Sequence, residues 1–279
     1  MQLYDVVSNK MSKIITHSYS TSFSLGIKAF STEYRDPIYA IYGFVRIADE
    51  IVDTFLEHDR KELLEKFRED TEEAITKKIS TNPILHSFQR VVHEYVIDKE
   101  YIDAFLKSME MDLHNSFYER KNYDQYIYGS AEVVGLMCLR VFVKNDDEKF
   151  NELKLYAKSL GSAFQKVNFL RDIKSDLDER GRIYLPDVNR TVEITDESKK
   201  ELEDEIQKEF DDALIGIMKL PMGVKLGVYS AFLYYKSLFL KIKRSSINDL
   251  KKKRVRISNL YKMILFLKGL YEIKILKLT

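Results

Sequence analysis

QKVNFLRDIKSDLDERGRIYLP, residues Gln165 to Pro186, decides how the rest of the chain is read. On an α-helix each residue turns by about 100°. Gln165, Asn168, Asp172 and Asp176 are spaced three, four and four residues apart, so they stack on one face. Phe164, Val167, Phe169, Leu170 and Ile173 leave only a narrow polar stripe between apolar flanks. A stripe facing water would more naturally carry Lys and Glu. Two carboxylates one turn apart repel each other unless a cation lies between them. Paired hard oxygens suit Mg²⁺, which keeps most of its waters and is commonly shared with phosphates. An ordinary charged helix face also accounts for a single D-x-x-x-D.

The pattern occurs twice, which argues against an ordinary face. Asp49-Glu50-Ile51-Val52-Asp53 is a second D-x-x-x-D. Tyr39, Tyr42, Arg46, Asp49 and Asp53 share one face, and Phe44, Val45, Ile47, Ile51 and Val52 cover the others. Two such helices facing each other would set Asp49, Asp53, Asp172 and Asp176 around one cavity as Mg²⁺ ligands, with Arg46 and Arg171 supplying local positive charge. A diphosphate-ionising enzyme needs cations for its leaving group and apolar walls for a hydrocarbon chain. Arg180 and Arg182, with Tyr184, follow the second acidic helix, and a loop there could close over diphosphates and exclude water.

These residues resemble the squalene and phytoene synthase family of head-to-head prenyl diphosphate synthases. His17 to Phe23 resembles its N-terminal diphosphate-side segment, and Arg46 with Asp49 to Asp53 its first aspartate-rich motif. Met109, Asp112 and Leu113 resemble its G-M-x-x-D-L region, with Ser108 where glycine is common. Tyr128 to Met137 resembles its Y-x-x-x-x-A-x-x-V-G-L-M segment. Gln165, Asn168, Arg171, Asp172, Asp176 and Arg180 to Pro186 resemble its most specific signature, with Ser175 where the family often has Glu.

The resemblance implies an all-α, single-domain isoprenoid synthase fold over residues 1–279, with helices around a central apolar cavity. It implies catalytic roles for the four aspartates, Arg46, Arg171 and Tyr42, and substrate binding by Ser20, Ser22, Phe23, Gln165, Asn168, Arg180, Arg182, Tyr184, Met109 and Gly135. Expected cofactors are Mg²⁺, with Mn²⁺ as an alternative, and NADPH only for a squalene-type reaction. The favoured reaction joins two geranylgeranyl diphosphates through a cyclopropyl diphosphate to phytoene, in carotenoid biosynthesis. The alternative is squalene or dehydrosqualene synthesis from farnesyl diphosphate. An alternative of another class is a non-catalytic assembly or scaffold protein on the same fold, which loss of the aspartates would signal; all four are present.

The composition agrees with a helical core. The 279 residues are 45% hydrophobic, with four prolines, ten glycines, 16 Phe, 18 Tyr and no Trp. A formal net charge of +1 gives no global field for nucleic acid. Cys138 is the only cysteine, so no internal disulfide forms and a reducing cytoplasm is expected. The first residues lack the apolar core of a signal peptide, and no uncharged run approaches bilayer-spanning length. No feature sets an oligomeric state.

Local expectations run along the rest of the chain. Residues 1–17 form a helix with Leu3, Val6, Val7, Met11, Ile14 and Ile15 inward, and helical character breaks near Gly26. Pro37 opens the first acidic helix, and His86 and His93 are packing or surface residues. Small residues Ala131, Gly135 and Cys138, with Val134, permit either a prenyl tunnel or close helix packing. The basic stretch Lys241 to Arg256 reads mainly as a solvated connector, with attraction to anionic lipid or to diphosphate as the other readings. A final helix from Ser258 to Leu278 keeps Leu260, Ile264, Leu267, Tyr271, Ile275 and Leu278 on one face. That face either covers the core or rests peripherally on the inner face of a membrane.

Overall fold

Twenty-two residues of amphipathic helix, Thr32–Asp53, run through the centre of the molecule and carry the first acidic pair. A computed structural model describes residues 1–114, 118–180, 182, 184–186 and 195–274, with the side chains of Glu179 and Arg180 outside the described set. Among the described residues every regular element is helical. In order they are α1 (Gln2–Tyr19), α2 (Thr21–Lys28), α3 (Thr32–Asp53), α4 (Arg60–Lys77), α5 (Pro83–Glu94), α6 (Lys99–His114), α7 (Arg120–Ile127), α8 (Val133–Val143), α9 (Asp147–Ser175), α10 (Asp196–Met218), α11 (Met222–Lys243), α12 (Ile247–Lys252) and α13 (Asn259–Lys274). Two π-helical turns, Tyr128–Glu132 and Asp176–Arg180, precede α8 and follow α9. The expected helix around Pro37 begins five residues earlier, at Thr32, with Pro37 inside it.

The core is aromatic. Phe44 of α3 stacks on Phe88 of α5 at 4.0 Å between centroids, and Phe67 and Phe105 pack on the same ring. Such pairs add about 0.5–1.5 kcal/mol each beyond the apolar area they remove from water. His86 is buried and bonds Asp5 at 2.8 Å, serving packing, while exposed His93 bonds the Ile75 carbonyl at 2.8 Å at the surface.

Glycines let helices approach closely. A Cβ at Gly227 of α11 would lie 2.4 Å from the Gly26 carbonyl, so α2 continues as a helix through Gly26, contrary to the sequence expectation. One described helical run, 120–143, is long and apolar enough to cross a bilayer by length and composition, although Glu132 and Arg140 interrupt it and leave no long uncharged run. It is nonetheless a core element, 61% buried in its most apolar window.

Helix α1 reverses its expected orientation, and α13 adopts one of the two orientations expected for it. In α1 the buried residues are Ser8, Ser12 and Thr16, while Leu3, Val6, Val7, Met11 and Ile14 face solvent. Ser8 and Thr16 donate to the carbonyls one turn earlier, at 2.8 and 2.9 Å, and Ser12 pairs with Ser87 at 2.7 Å. With their hydroxyls satisfied, these small side chains let α1 pack tightly, as Gly43 has only 3.2 Å from a hypothetical Cβ to Ser12. In α13 the buried residues are Leu265, Gly269 and Ile273, and the stripe Leu260, Ile264, Leu267 and Tyr271 points outward. Ile275 and Leu278 lie outside the described residues.

Candidate active site

The last turns of α3 and α9 bring the two acidic pairs to one end of the molecule. Arg46 donates to Asp49 at 2.6 Å and also pairs with Glu50, while its guanidinium lies 4.2 Å from the Tyr19 ring centroid. Asp172 accepts from Arg171 Nε at 3.0 Å and Nη2 at 2.5 Å. It also receives a fork from Arg254, Nε at 2.6 Å and Nη2 at 3.1 Å. Burial alone would raise the Asp172 carboxyl, but Arg171 and Arg254 outweigh it and hold the group below the usual aspartate range. The basic stretch is therefore more than a solvated connector, because Arg254 reaches the second aspartate motif.

Asp176 is buried at the start of the second π turn, where its carbonyl accepts the Arg182 backbone N–H at 2.9 Å. This register shift ends α9 and turns the chain back under α3. The Arg182 side chain donates to Asp53 at 2.7 Å, to the Tyr184 hydroxyl at 3.1 Å and to the Val52 carbonyl at 3.3 Å. Beyond it lies Asp112 of α6, 4.0 Å away. Asp112 accepts hydroxyls from Tyr118 at 2.9 Å, Tyr126 at 2.7 Å and Tyr184 at 2.8 Å. Burial pushes its carboxyl up, against the pull of Arg182 and the tyrosine hydroxyls. Arg182 is thus a buried strut in this state rather than a side chain on an exposed lid. The side chain of Arg180 lies outside the described residues.

An apolar cavity of about 320 Å³ extends from this end. Phe23, Tyr42, Gln165, Asn168 and Tyr235 line it near the acids, and Leu153, Tyr156, Ala157, Ala213 and Gly216 line it further along α9 and α10. Phe164 stacks on Tyr235 at 3.9 Å. Burial pushes the Tyr42 hydroxyl up to about 12, so it stays protonated at neutral pH. Burial likewise pushes the Cys138 thiol up to about 12, making it a neutral wall residue.

Phe23, Ala131, Val134, Gly135 and Cys138 all line the cavity, as expected; Met109 does not, and is buried in the core. Ser22 borders a separate small cleft, and Ser20 caps α2 by accepting the Phe23 N–H. The small residues serve both expected purposes. A Cβ at Gly135 would lie 2.8 Å from the Ala157 carbonyl, and one at Gly161 would lie 2.6 Å from the Ala131 carbonyl. Asp112 and Glu50 fall in motif segments of the sequence but were assigned no role there, and Arg254 was not singled out. Asp112 was detectable as an acid on the apolar face of Phe105 and Met109. Arg254 gives no local signal, because it arrives from 82 residues away.

Among the described residues no three His, Cys, Asp or Glu groups gather at metal-holding distances. Asp49, Asp53 and Asp172 each meet a guanidinium instead. The donor chemistry still fits a hard divalent cation. The carboxylates are oxygen donors, and on the same face of α9 the buried Asn168 Oδ1 has no hydrogen-bond partner.

Helices enclosing a long apolar cavity with acids and arginines at one end define an all-α isoprenoid synthase fold. Solved structures share that geometry: a ligand-bound dehydrosqualene synthase superposes with a TM-score of 0.82 over 98% of both chains at 22% identity. A squalene synthase from Alicyclobacillus acidocaldarius gives 0.74 over 85% of this chain and 93% of that one, also at 22% identity. The chain belongs to the squalene/phytoene synthase family, which matches residues 16–261 and is a family of prenyltransferase-type enzymes. Phytoene synthase 1 of Solanum lycopersicum is 27% identical over 267 residues, covering 88% of this chain and 63% of that protein. Phytoene synthase 1 of Arabidopsis thaliana is 27% identical over 255 residues, covering 84% and 59%. The chain therefore spans about three-fifths of the length of these curated relatives.

Proposed function

We propose that this chain condenses two geranylgeranyl diphosphates head to head, as in phytoene synthesis. The observation that carries this reading is the reach of the cavity along α9. From Asn168 to Leu153 the helix rises about 22 Å, at 1.5 Å per residue. A geranylgeranyl chain of sixteen backbone carbons, at about 1.3 Å per zigzag bond, needs roughly 20 Å, and a farnesyl chain of twelve roughly 15 Å. The names of the curated relatives support the same choice.

In the proposed reaction the first substrate's C–O bond breaks and diphosphate leaves with the electron pair. The double bond of the second substrate attacks the allylic cation, and proton loss gives a cyclopropylcarbinyl diphosphate. A second ionisation, rearrangement and proton loss give the triene, with two diphosphates released. Mg²⁺ or Mn²⁺, held by Asp49, Asp53, Asp172 and Asp176, would supply charge to the departing diphosphates. Arg46 and Arg171 add fixed positive charge beside the leaving group. The faces of Phe23, Phe164 and Tyr235 stabilise cationic carbon and exclude water. Protonated Tyr42 acts as a hydrogen-bond donor, not as a base.

The test incubates purified protein and Mg²⁺ with C20 or C15 diphosphate, with and without NADPH, and identifies the hydrocarbon. Phytoene from the C20 substrate without NADPH is expected. Preferential turnover of the C15 substrate would replace this reading by the squalene or dehydrosqualene reaction, and no turnover of either would favour a scaffold.

A further inference from the structure

The end of the apolar cavity remote from the acids carries a side chain that the condensation chemistry leaves unused. Helices α8 and α10 both run antiparallel to α9. Gly135 meets Ala157 and Gly161 meets Ala131 on one side, while Lys166 pairs with Glu205 and Glu209 and Tyr156 meets Gly216 on the other. Distance from the acids can therefore be counted along α9, and Phe142, Leu153, Tyr156 and Leu220 are the lining residues at the remote end. Phe142, Leu153 and Leu220 are buried, but Tyr156 is partly exposed. It lines the cavity, and its ring centroid lies 5.6 Å from Lys219 Nζ. Lys219 in turn pairs with Glu152 at 3.0 Å, and both of those side chains are exposed. Tyr156 thus stands between the end of the cavity and solvent.

Its seat is specific. A Cβ at Gly216 would fall on the Cβ and Cγ of Tyr156, so glycine is what lets α10 close over the root of this side chain. Leu155 and Ile215, the chain neighbours of Tyr156 and Gly216, are 66% and 49% exposed, so an apolar rim lies outside the ring. The position also matches a length. From Asn168 to Tyr156, α9 rises about 18 Å. A farnesyl chain of roughly 15 Å stops short of the ring, and a geranylgeranyl chain of roughly 20 Å reaches it. A C25 chain of twenty backbone carbons, roughly 25 Å, overruns both Tyr156 and Leu153. We propose that Tyr156 is the stop that sets the upper limit of prenyl chain length, seated on Gly216 and steadied by the Lys219–Glu152 pair. This specificity role rests on the prenyl diphosphate reading of the cavity.

The test is calorimetric binding of inert C15, C20 and C25 thiolodiphosphates to the full chain, which needs no turnover. The wild type should bind the C20 ligand at least about tenfold more tightly than the C25 ligand, the scale on which an apolar pocket rejects a chain that is too long. Tyr156→Ala should erase most of that preference while leaving C20 affinity within about threefold, because only the end of the longer chain is released. Tyr156→Leu, which keeps an apolar contact but shortens the side chain, should move the C25-to-C20 ratio the same way and guards against a poorly folded alanine variant. Tyr156→Phe should keep the wild-type ratio. Lys219→Ala should shift it only slightly, since an exposed ion pair holds the ring weakly. Leu155→Ala, beside the ring but outside the cavity lining, should leave it unchanged. A wild type that accepts C25 as well as C20 would overturn the proposal. So would an unchanged ratio in Tyr156→Ala and Tyr156→Leu, or an equal loss of all three ligands, which would mark Tyr156 as a packing residue only. Failure of the wild type to bind any of the three would remove the prenyl diphosphate reading and this role with it, whereas C20 binding with an unmoved ratio removes this role alone.

Discussion

Gly135→Leu separates packing from substrate selection. Gly135 lies on the cavity wall, so a larger residue there would be expected simply to shorten the space for a prenyl chain. Yet its Cβ would sit 2.8 Å from the backbone carbonyl of Ala157, where ordinary contact begins at 3.4 Å. Because a backbone atom cannot rotate away, α8 and α9 must part by that 0.6 Å difference. Overpacking costs about 1–3 kcal/mol, and a backbone clash belongs at the upper end. Replacing a helical glycine returns about 1 kcal/mol. The net loss of about 2 kcal/mol should lower Tm by roughly 4–8 °C. Cys138→Phe fills the same cavity from a position whose side chain already projects into it. It should lower the C20-to-C15 ratio of kcat/KM, by at most about 4 kcal/mol for the five carbons excluded. Thermal unfolding and competitive kinetics on both variants decide the matter. An unchanged Tm for Gly135→Leu, with the full specificity shift, would refute the packing argument.

Asp49→Asn and Asp172→Asn should each lower kcat about a thousandfold with helix content retained, since they act on charge that develops as diphosphate leaves; near-wild-type turnover in both would remove the aspartates from the chemistry. Arg182→Ala should destabilise the fold by about 3–5 kcal/mol in denaturant titrations, by stripping buried Asp112 and Asp53 of their guanidinium. Arg182→Lys should lose less, and equal midpoints for wild type and Arg182→Ala would show that the strut bears no weight. Asp172 is held below its ordinary value of 3.8 by Arg171 and Arg254, so its stabilising contribution is complete at neutral pH and disappears as pH falls through that depressed value. The Asp172→Asn variant should accordingly lose less stability than wild type between pH 5 and strongly acidic solution, at about the same slope elsewhere.

Helical periodicity was enough to place the aspartates, because two acids one turn apart inside an otherwise apolar helix must meet a cationic partner. It misjudged α1 and left the orientation of α13 open for a common reason. Hydrophobic pattern identifies an apolar face but not which face meets the core, and small residues can win the inward position when close approach is available. Ser8, Ser12, Thr16 and Gly269 gain more from tight contact than their side chains suggest. The wall glycines were ambiguous in sequence because one atom of missing side chain serves both cavity space and helix contact. The carboxylate partners of Arg254 and Arg182 were not legible because a cation's partner depends on tertiary distance, and both reach carboxylates far along the chain.

The strut between Asp53 and Arg182 closes a loop of 129 residues, and the Asp112–Tyr184 bond closes one of 72. Bringing such distant segments together costs chain entropy before any contact is gained, whereas α9 and α10 or α4 and α5 meet through short connections. The acid end should thus assemble late in refolding, as should the seam where Gly26 of α2 meets Gly227 of α11. Helical circular dichroism should recover first, and the burial of Tyr118, Tyr126 and Tyr184 around Asp112 should follow as a slower phase, visible in the near-ultraviolet signal of a protein without tryptophan. Competence for diphosphate would appear with that slower phase, after the helices themselves have formed.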